Sequence, residues 1–220
     1  MPRSVSLGVV LAALFACSPV HMAVPAEVAA LGPALEARDR SLATGLLADE
    51  GFRLGPYVVK DVDRDWDETD ESSAGAVTTT ASQGGYSYRL DALEGRCRAR
   101  SGRTDADLGA GFSLSADGHA RLQCDCGGAG FDLAGDVDTF GGALKLRDQQ
   151  YTLRGIRELD GGGERNRPTG YRVDGDAPLG AVEVEHPGRV WLQADLDEDD
   201  RARLSCLFVG LMLYQPPELR

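Results

Sequence analysis

From Phe52 onward, short stretches in which apolar or β-branched residues alternate with polar ones are separated by glycine and aspartate. A side-chain period of two marks half-buried strands. The pattern predicts strands over 52–62, 76–82, 86–93, 96–101, 111–115, 119–126, 130–134, 143–147, 150–159, 170–174, 180–186 and 190–194. Turn pairs fall between nearly all of them, among them Gly84-Gly85, Asp117-Gly118, Gly127-Gly128, Gly141-Gly142 and Asp174-Gly175, so the strands read as a meander. No block repeats at a fixed period, which argues against a propeller or solenoid.

The pattern changes once more near the end. Asp195 to Asp200 supply caps and first-turn carboxylates, an apolar stretch runs to Tyr214, and Pro216-Pro217 stop the helix. Leu204, Leu207, Phe208 and Leu211 lie on one side of that helix, Cys206, Val209 and Leu213 on the other, and Met212 between. An amphipathic surface helix has one apolar stripe, whereas this one must be surrounded. The only wrapping material is the strand meander. The predicted fold is therefore mainly β, a closed barrel of about twelve strands around a buried C-terminal helix, which also removes the exposed sheet edges. A β-sandwich with a packed helix is the alternative.

At the other end, Arg3 precedes an apolar run from Val5 to Ala16, too short for a membrane-spanning helix but suited to an export signal over residues 1–16. Leu14-Phe15-Ala16-Cys17 resembles the bacterial lipobox, which implies cleavage before Cys17 and its lipidation. Ser18 at the next position implies the outer membrane as destination; cleavage after Ala26 would instead give a periplasmic or secreted protein. Residues 17–50 read as a lipid-anchored tether with one helix from Pro33 to Ala48, and 51–220 as the barrel domain.

Composition sharpens this. The 220 residues carry 35 acidic and 23 basic side chains, a net charge of −12, so a nucleic acid is disfavoured as partner. The densest basic cluster is Arg96, Arg98, Arg100 and Arg103, a solvated strand face or a site for an anionic ligand. Setting Cys17 aside leaves Cys97, Cys124, Cys126 and Cys206, an even number that suits an oxidising compartment. Cys124 and Cys126 point the same way on one strand and seek different partners. Cys97 is expected to pair with one of them, leaving Cys206 to the other or as a buried thiol. A four-thiolate zinc site would need paired C-x-x-C knuckles, and a single C-x-C is present.

The stretch from Leu179 to Tyr214, a hairpin leading through an aspartate-rich turn into an apolar helix, resembles the C-terminal part of the tubby-like superfamily in its phospholipid scramblase branch. The resemblance implies a twelve-stranded barrel enclosing the helix. It does not extend to the basic pocket by which tubby proteins hold phosphoinositides, because this chain has only two lysines, Lys60 and Lys145.

Asp61, Asp63, Asp65 and Asp67 suggest a calcium loop, but an EF-hand needs glycine at its sixth position and glutamate at its twelfth, where Trp66 and Ser72 stand. A looser calcium site or a solvated acidic loop remains. His21, His119 and His186 are too scattered for a zinc site or a triad. The expectation is a non-enzymatic, lipid-anchored envelope module binding an envelope protein or small ligand. The alternatives are a hydrolase using paired carboxylates such as Asp61 and Asp63, and a calcium-dependent adhesion module.

Overall fold

The computed structural model describes residues 21–40, 50–109, 112–117, 119–136 and 140–214, with backbone alone at 66, 67, 108, 109 and 112–117. The expected export signal and Cys17 lie outside the described residues. The elements are α1 (Ala26–Ala29), β1 (Leu35–Arg38), β2 (Phe52–Leu54), β3 (Tyr57–Ala74), β4 (Val77–Leu90), β5 (Leu93–Gly109) and β6 (Phe112–Asp117). They continue with β7 (Ala120–Cys126), β8 (Ala129–Gly135), β9 (Gly141–Leu146), β10 (Gln149–Ile156), β11 (Gly170–Asp174), β12 (Pro178–Glu183), β13 (Arg189–Leu192) and α2 (Glu198–Leu213).

Neighbouring strands run antiparallel in the order β4-β3-β2-β1-β13-β12-β11-β10-β9-β8-β7-β5, and pairing of β4 with β5 closes a twelve-strand ring; β6 adds to the outer part of β5. Inward positions alternate strictly where the outer face meets solvent, as in β7, where Ala120, Leu122, Cys124 and Cys126 are buried and the residues between them exposed. β12 departs from that rule. Leu179 to Glu183 are all buried, because both faces of that strand are covered.

α2 fills the ring, and all ten residues from Leu204 to Leu213 are buried. At its start the Asp197 side chain accepts from the Asp200 N–H at 2.8 Å, and this bond holds the Asp197 carboxyl below the usual range. At its end the Arg40 guanidinium donates to the Met212 carbonyl, satisfying one of the orphan acceptors of the last turn. Tyr88 donates to the Cys206 carbonyl and Tyr86 to the Gly210 carbonyl, each at 2.7 Å. Gly210 is required there. A Cβ at that position would lie 2.8 Å from the Tyr88 hydroxyl and about 3 Å from the sulfurs of Cys97 and Cys124.

Two disulfides complete the core: Cys97 with Cys124, directly opposite across β5 and β7, and Cys126 with Cys206, tying the barrel wall to α2. This is one of the pairings that the spacing left open, and it leaves none of the four for zinc.

Three expectations change. The stretch read as a free tether is docked from His21 onward, and residues 35–38 are a strand where a helix was expected; of that helix, residues 41–49 lie outside the described residues. Ala37 plugs a gap between β2 and β13, and ring closure needs backbone hydrogen bonds that a helix cannot offer. Met22 and Val28 pack with Ile156, Ala181 and Trp191 on the outer wall, a small second core. Second, Gly84-Gly85 is no turn but the middle of β4, since β5 pairs with it without a break and β3 pairs on the other side through a bulge opposite Gly84. Third, Gly55 and Pro56 break the expected strand 52–62 into β2 and β3.

Beyond the last pairing of β5 with β7, at Arg100 and Arg121, strands β3, β4 and β5 run on, joined by β6. They form an arm leaving the end of the barrel where α2 terminates. Residues 68–74 are exposed on both faces, and Ser, Thr, Asp, Glu and Arg dominate its composition.

Candidate functional site

Among the described residues, a groove of about 870 Å³ lies on the outer wall. Two adjacent cross-strand rows form its floor. The first runs Asp65, Gly85, Arg98, Gln123, Asp132 and Ala143, and the second Asp63, Ser87, Arg96, Asp125, Gly130, Lys145 and Gln150. With strands about 4.8 Å apart, the second row spans roughly 29 Å. Each row sets two very small residues among longer polar ones, so Gly85, Ser87, Gly130 and Ala143 form depressions beside charged side chains. Two of these positions are tightly constrained: a Cβ on Gly130 would meet the Cys124 carbonyl oxygen at 3.0 Å, and one on Gly85 would meet that of Cys97 at 3.2 Å.

Cys97 and Cys124 lie immediately beneath, between Arg96 and Arg98 on β5 and between Gln123 and Asp125 on β7. The disulfide therefore fixes the two central strands under the floor. Some wall groups are committed to one another. Arg96 donates to Glu94 at 2.8 and 3.0 Å, and Asp132 accepts from Arg121 at 2.8 Å and from Gln123 at 3.0 Å. The Arg121 hydrogen bond holds the Asp132 carboxyl below the usual carboxylate range. Among the described residues Arg98, Lys145, Asp63, Asp65 and Asp125 carry no ion pair. Three uncommitted carboxylates and two uncommitted cations thus face solvent in one groove.

The acidic run does not form a calcium loop. Asp63 and Asp65 are at alternate positions of β3, an extended strand and not the tight ligand loop of an EF-hand. Asp61 sits at a bulge with φ 53° and faces Arg89 at 3.4 Å. No group of three metal-ligating side chains occurs among the described residues; the side chain of Asp67 is not among them. Asp61 and Asp63 therefore do not converge as a catalytic pair. Histidine has other work: His21 Nδ1 lies 3.1 Å from the buried Glu183 carboxylate, which also accepts from Met22 N–H and Arg189, and His186 bonds the Arg40 carbonyl.

Of the groove residues, Arg96, Arg98, Asp63 and Asp65 stood out in the sequence, whereas Gln123, Asp125, Asp132, Lys145 and Gln150 did not. Their signal is small residues at outward positions of successive strands, and it becomes visible only once register places Gly85, Gly130 and Ala143 in neighbouring rows.

Compared with models of known families, with curated proteins and with solved structures, the chain matches none.

Proposed function

We propose that this protein is a non-catalytic binding module of the bacterial cell envelope, held at the outer membrane by a lipid on Cys17. Its groove takes an extended ligand that bears both charges. The observation that carries the reading is the pair of rows crossing β3 to β10, with unpaired Arg98 and Lys145 interleaved with unpaired Asp63, Asp65 and Asp125. From β5 to β9 is about 14 Å, three inter-strand spacings, so the ligand must present anionic groups that far apart with cationic groups near them. A mixed-charge peptide segment of an envelope protein has that form. A floor braced by a disulfide fits a recognition site, because rigidity lowers the ordering cost of binding. Two disulfides fit the oxidising envelope, and the helix-filled barrel fits the tubby-like resemblance at the level of fold.

The test is an array of peptides that vary in the order of Lys, Asp and neutral residues, probed with the folded domain and with Arg98→Glu and Lys145→Glu. Selective capture of mixed-charge peptides that is lost in both variants at unchanged Tm supports the reading. Capture that ignores charge order, or survives both changes, overturns it.

A further inference from the structure

We infer that the groove holds two equivalent receptors for α-amino-acid head groups, so that its ligand is a branched or cross-linked peptide carrying two free heads about 16 Å apart. The inference rests on the groove reading above and narrows it to one class of ligand.

The first observation is a repeated order of side chains. Around the ring, six adjacent strands present Asp65 on β3, Gly85 on β4 and Arg98 on β5, then Asp125 on β7, Gly130 on β8 and Lys145 on β9. Within each set of three the residues are direct cross-strand partners. Each unit is thus a carboxylate, a glycine and a cation, with the same polarity along the wall. Among the described residues none of the four charged groups has an ion-pair partner. Asp63 lies one row from Asp65 and adds to the negative end of the first unit.

The second observation is how each unit is built. Both glycines lie against the two halves of one disulfide: a Cβ on Gly85 would meet the Cys97 carbonyl oxygen at 3.2 Å, and one on Gly130 the Cys124 carbonyl oxygen at 3.0 Å. The bond between Cys97 and Cys124 therefore ties the two units into one frame. Each carboxylate overhangs its glycine, with Asp65 Oδ2 3.5 Å from the Cβ position of Gly85 and Asp125 Oδ2 3.8 Å from that of Gly130. The acid leans across the glycine toward the cation and stops short of pairing with it.

The third observation is a match of lengths. Acid and cation in each unit are two strand spacings apart, about 9.6 Å between Cα atoms. An α-amino acid holds its ammonium nitrogen and carboxylate oxygens about 3 Å apart, and a charge-assisted hydrogen bond of about 2.8 Å on each side brings the span to about 8.6 Å. Such a head lies over the glycine, its ammonium donating to the aspartate and its carboxylate accepting from Arg98 or Lys145. Lysine and aspartate side chains of an ordinary peptide present the same two charges only by ordering two flexible chains, whereas one carbon fixes both. Internal residues of a linear peptide have no free head, because both groups are in amide bonds; residues linked through their side chains keep both. From Gly85 to Gly130 is three strand spacings and two residues along the strand, about 16 Å. Exposed ion pairs contribute little singly, so the ligand has to engage both units at once.

The probe is a series of two lysines joined Nε to Nε through dicarboxylic acids of increasing length, which leaves both α-amino-acid heads free. Titrated into the full chain with both disulfides formed, the member whose heads span about 16 Å is expected to bind on the order of 100-fold tighter than Nε-acetyl-lysine, which has one head. Shorter members fall back to the single-head affinity. So does the best member against Asp65→Asn, Arg98→Gln, Asp125→Asn or Lys145→Gln, each at unchanged Tm. Blocking the amines by acetylation, or the carboxylates as amides, abolishes binding. Binding retained after either block, an affinity indifferent to linker length, a unit whose variants change nothing, or a probe that does not bind overturns the inference. The peptide array decides the groove reading separately: capture of mixed-charge peptides by a protein that ignores the joined lysines leaves that reading standing without this one.

Discussion

Single residues decide how closely α2 can approach its wall. Gly210 lies against the Tyr88 hydroxyl and the Cys97–Cys124 sulfurs with no room for a methyl group. Gly210→Ala gains intrinsic helix propensity of about 1 kcal/mol yet overpacks a core that cannot relax around a disulfide, which costs about 1–3 kcal/mol; a net loss in urea unfolding is expected. The tyrosines facing the same core set an alkaline limit. Burial pushes the hydroxyls of Tyr86, Tyr88 and Tyr171 above their ordinary value near 10. A raised folded value means stability present below pH 10 and lost as the pH climbs, at about 1.4 kcal/mol per pH unit for each group. Arg40 acts in the opposite sense, since burial lowers it to about 10 and stability then rises with pH between there and its ordinary value. Three groups against one leave a net loss. Unfolding free energy should fall steeply above pH 10, and in Tyr86→Phe the slope should be shallower.

At the scale of elements, the terminal helix was the most legible part of the chain. Its all-round apolar surface, acidic start and proline stop specify a buried helix without reference to anything else, and Leu204 to Leu213 are buried as that pattern requires. Cys126–Cys206 closes a separation of 80 residues, and a loop of that size corresponds to roughly 4 kcal/mol of denatured-state entropy. Cys206→Ser should lower the unfolding free energy by an amount of that order, measured against the parent under non-reducing conditions. The N-terminal elements were not legible. Leu35-Glu36-Ala37-Arg38 has a helix-forming composition, and only the gap between β2 and β13 makes it a strand. Unbroken burial in β12 was a missed clue, because an apolar run without alternation implies cover on both faces, here by Met22, Val28 and α2.

For the whole molecule, stability is unevenly distributed. The barrel holds a continuous core from Ala37 to Leu213, while the described side chains of the arm are exposed or half-buried on both faces. Opening free energies follow buried contacts. Hydrogen exchange should therefore show the amides of Thr78 to Ser82 exchanging orders of magnitude faster than those of Leu122 and Leu133; equal protection would mean that something covers the arm in solution. The closed barrel could be read from strand count and the surrounded helix, but the arm could not. Its residues alternate as barrel strands do, and only the end of pairing at Arg100 and Arg121 distinguishes them.

The placement of α2 also orders events in time. Among the described residues the helix follows all thirteen strands, and β1, the first of them, pairs with β13, the last. Such long-range pairing makes folding slow. Until α2 has been synthesised the inward faces of the ring have nothing to enclose, and Cys126 has no partner. Synthesis of the strands alone therefore cannot complete the fold, and the ring acquires its core and its second disulfide only once α2 has emerged.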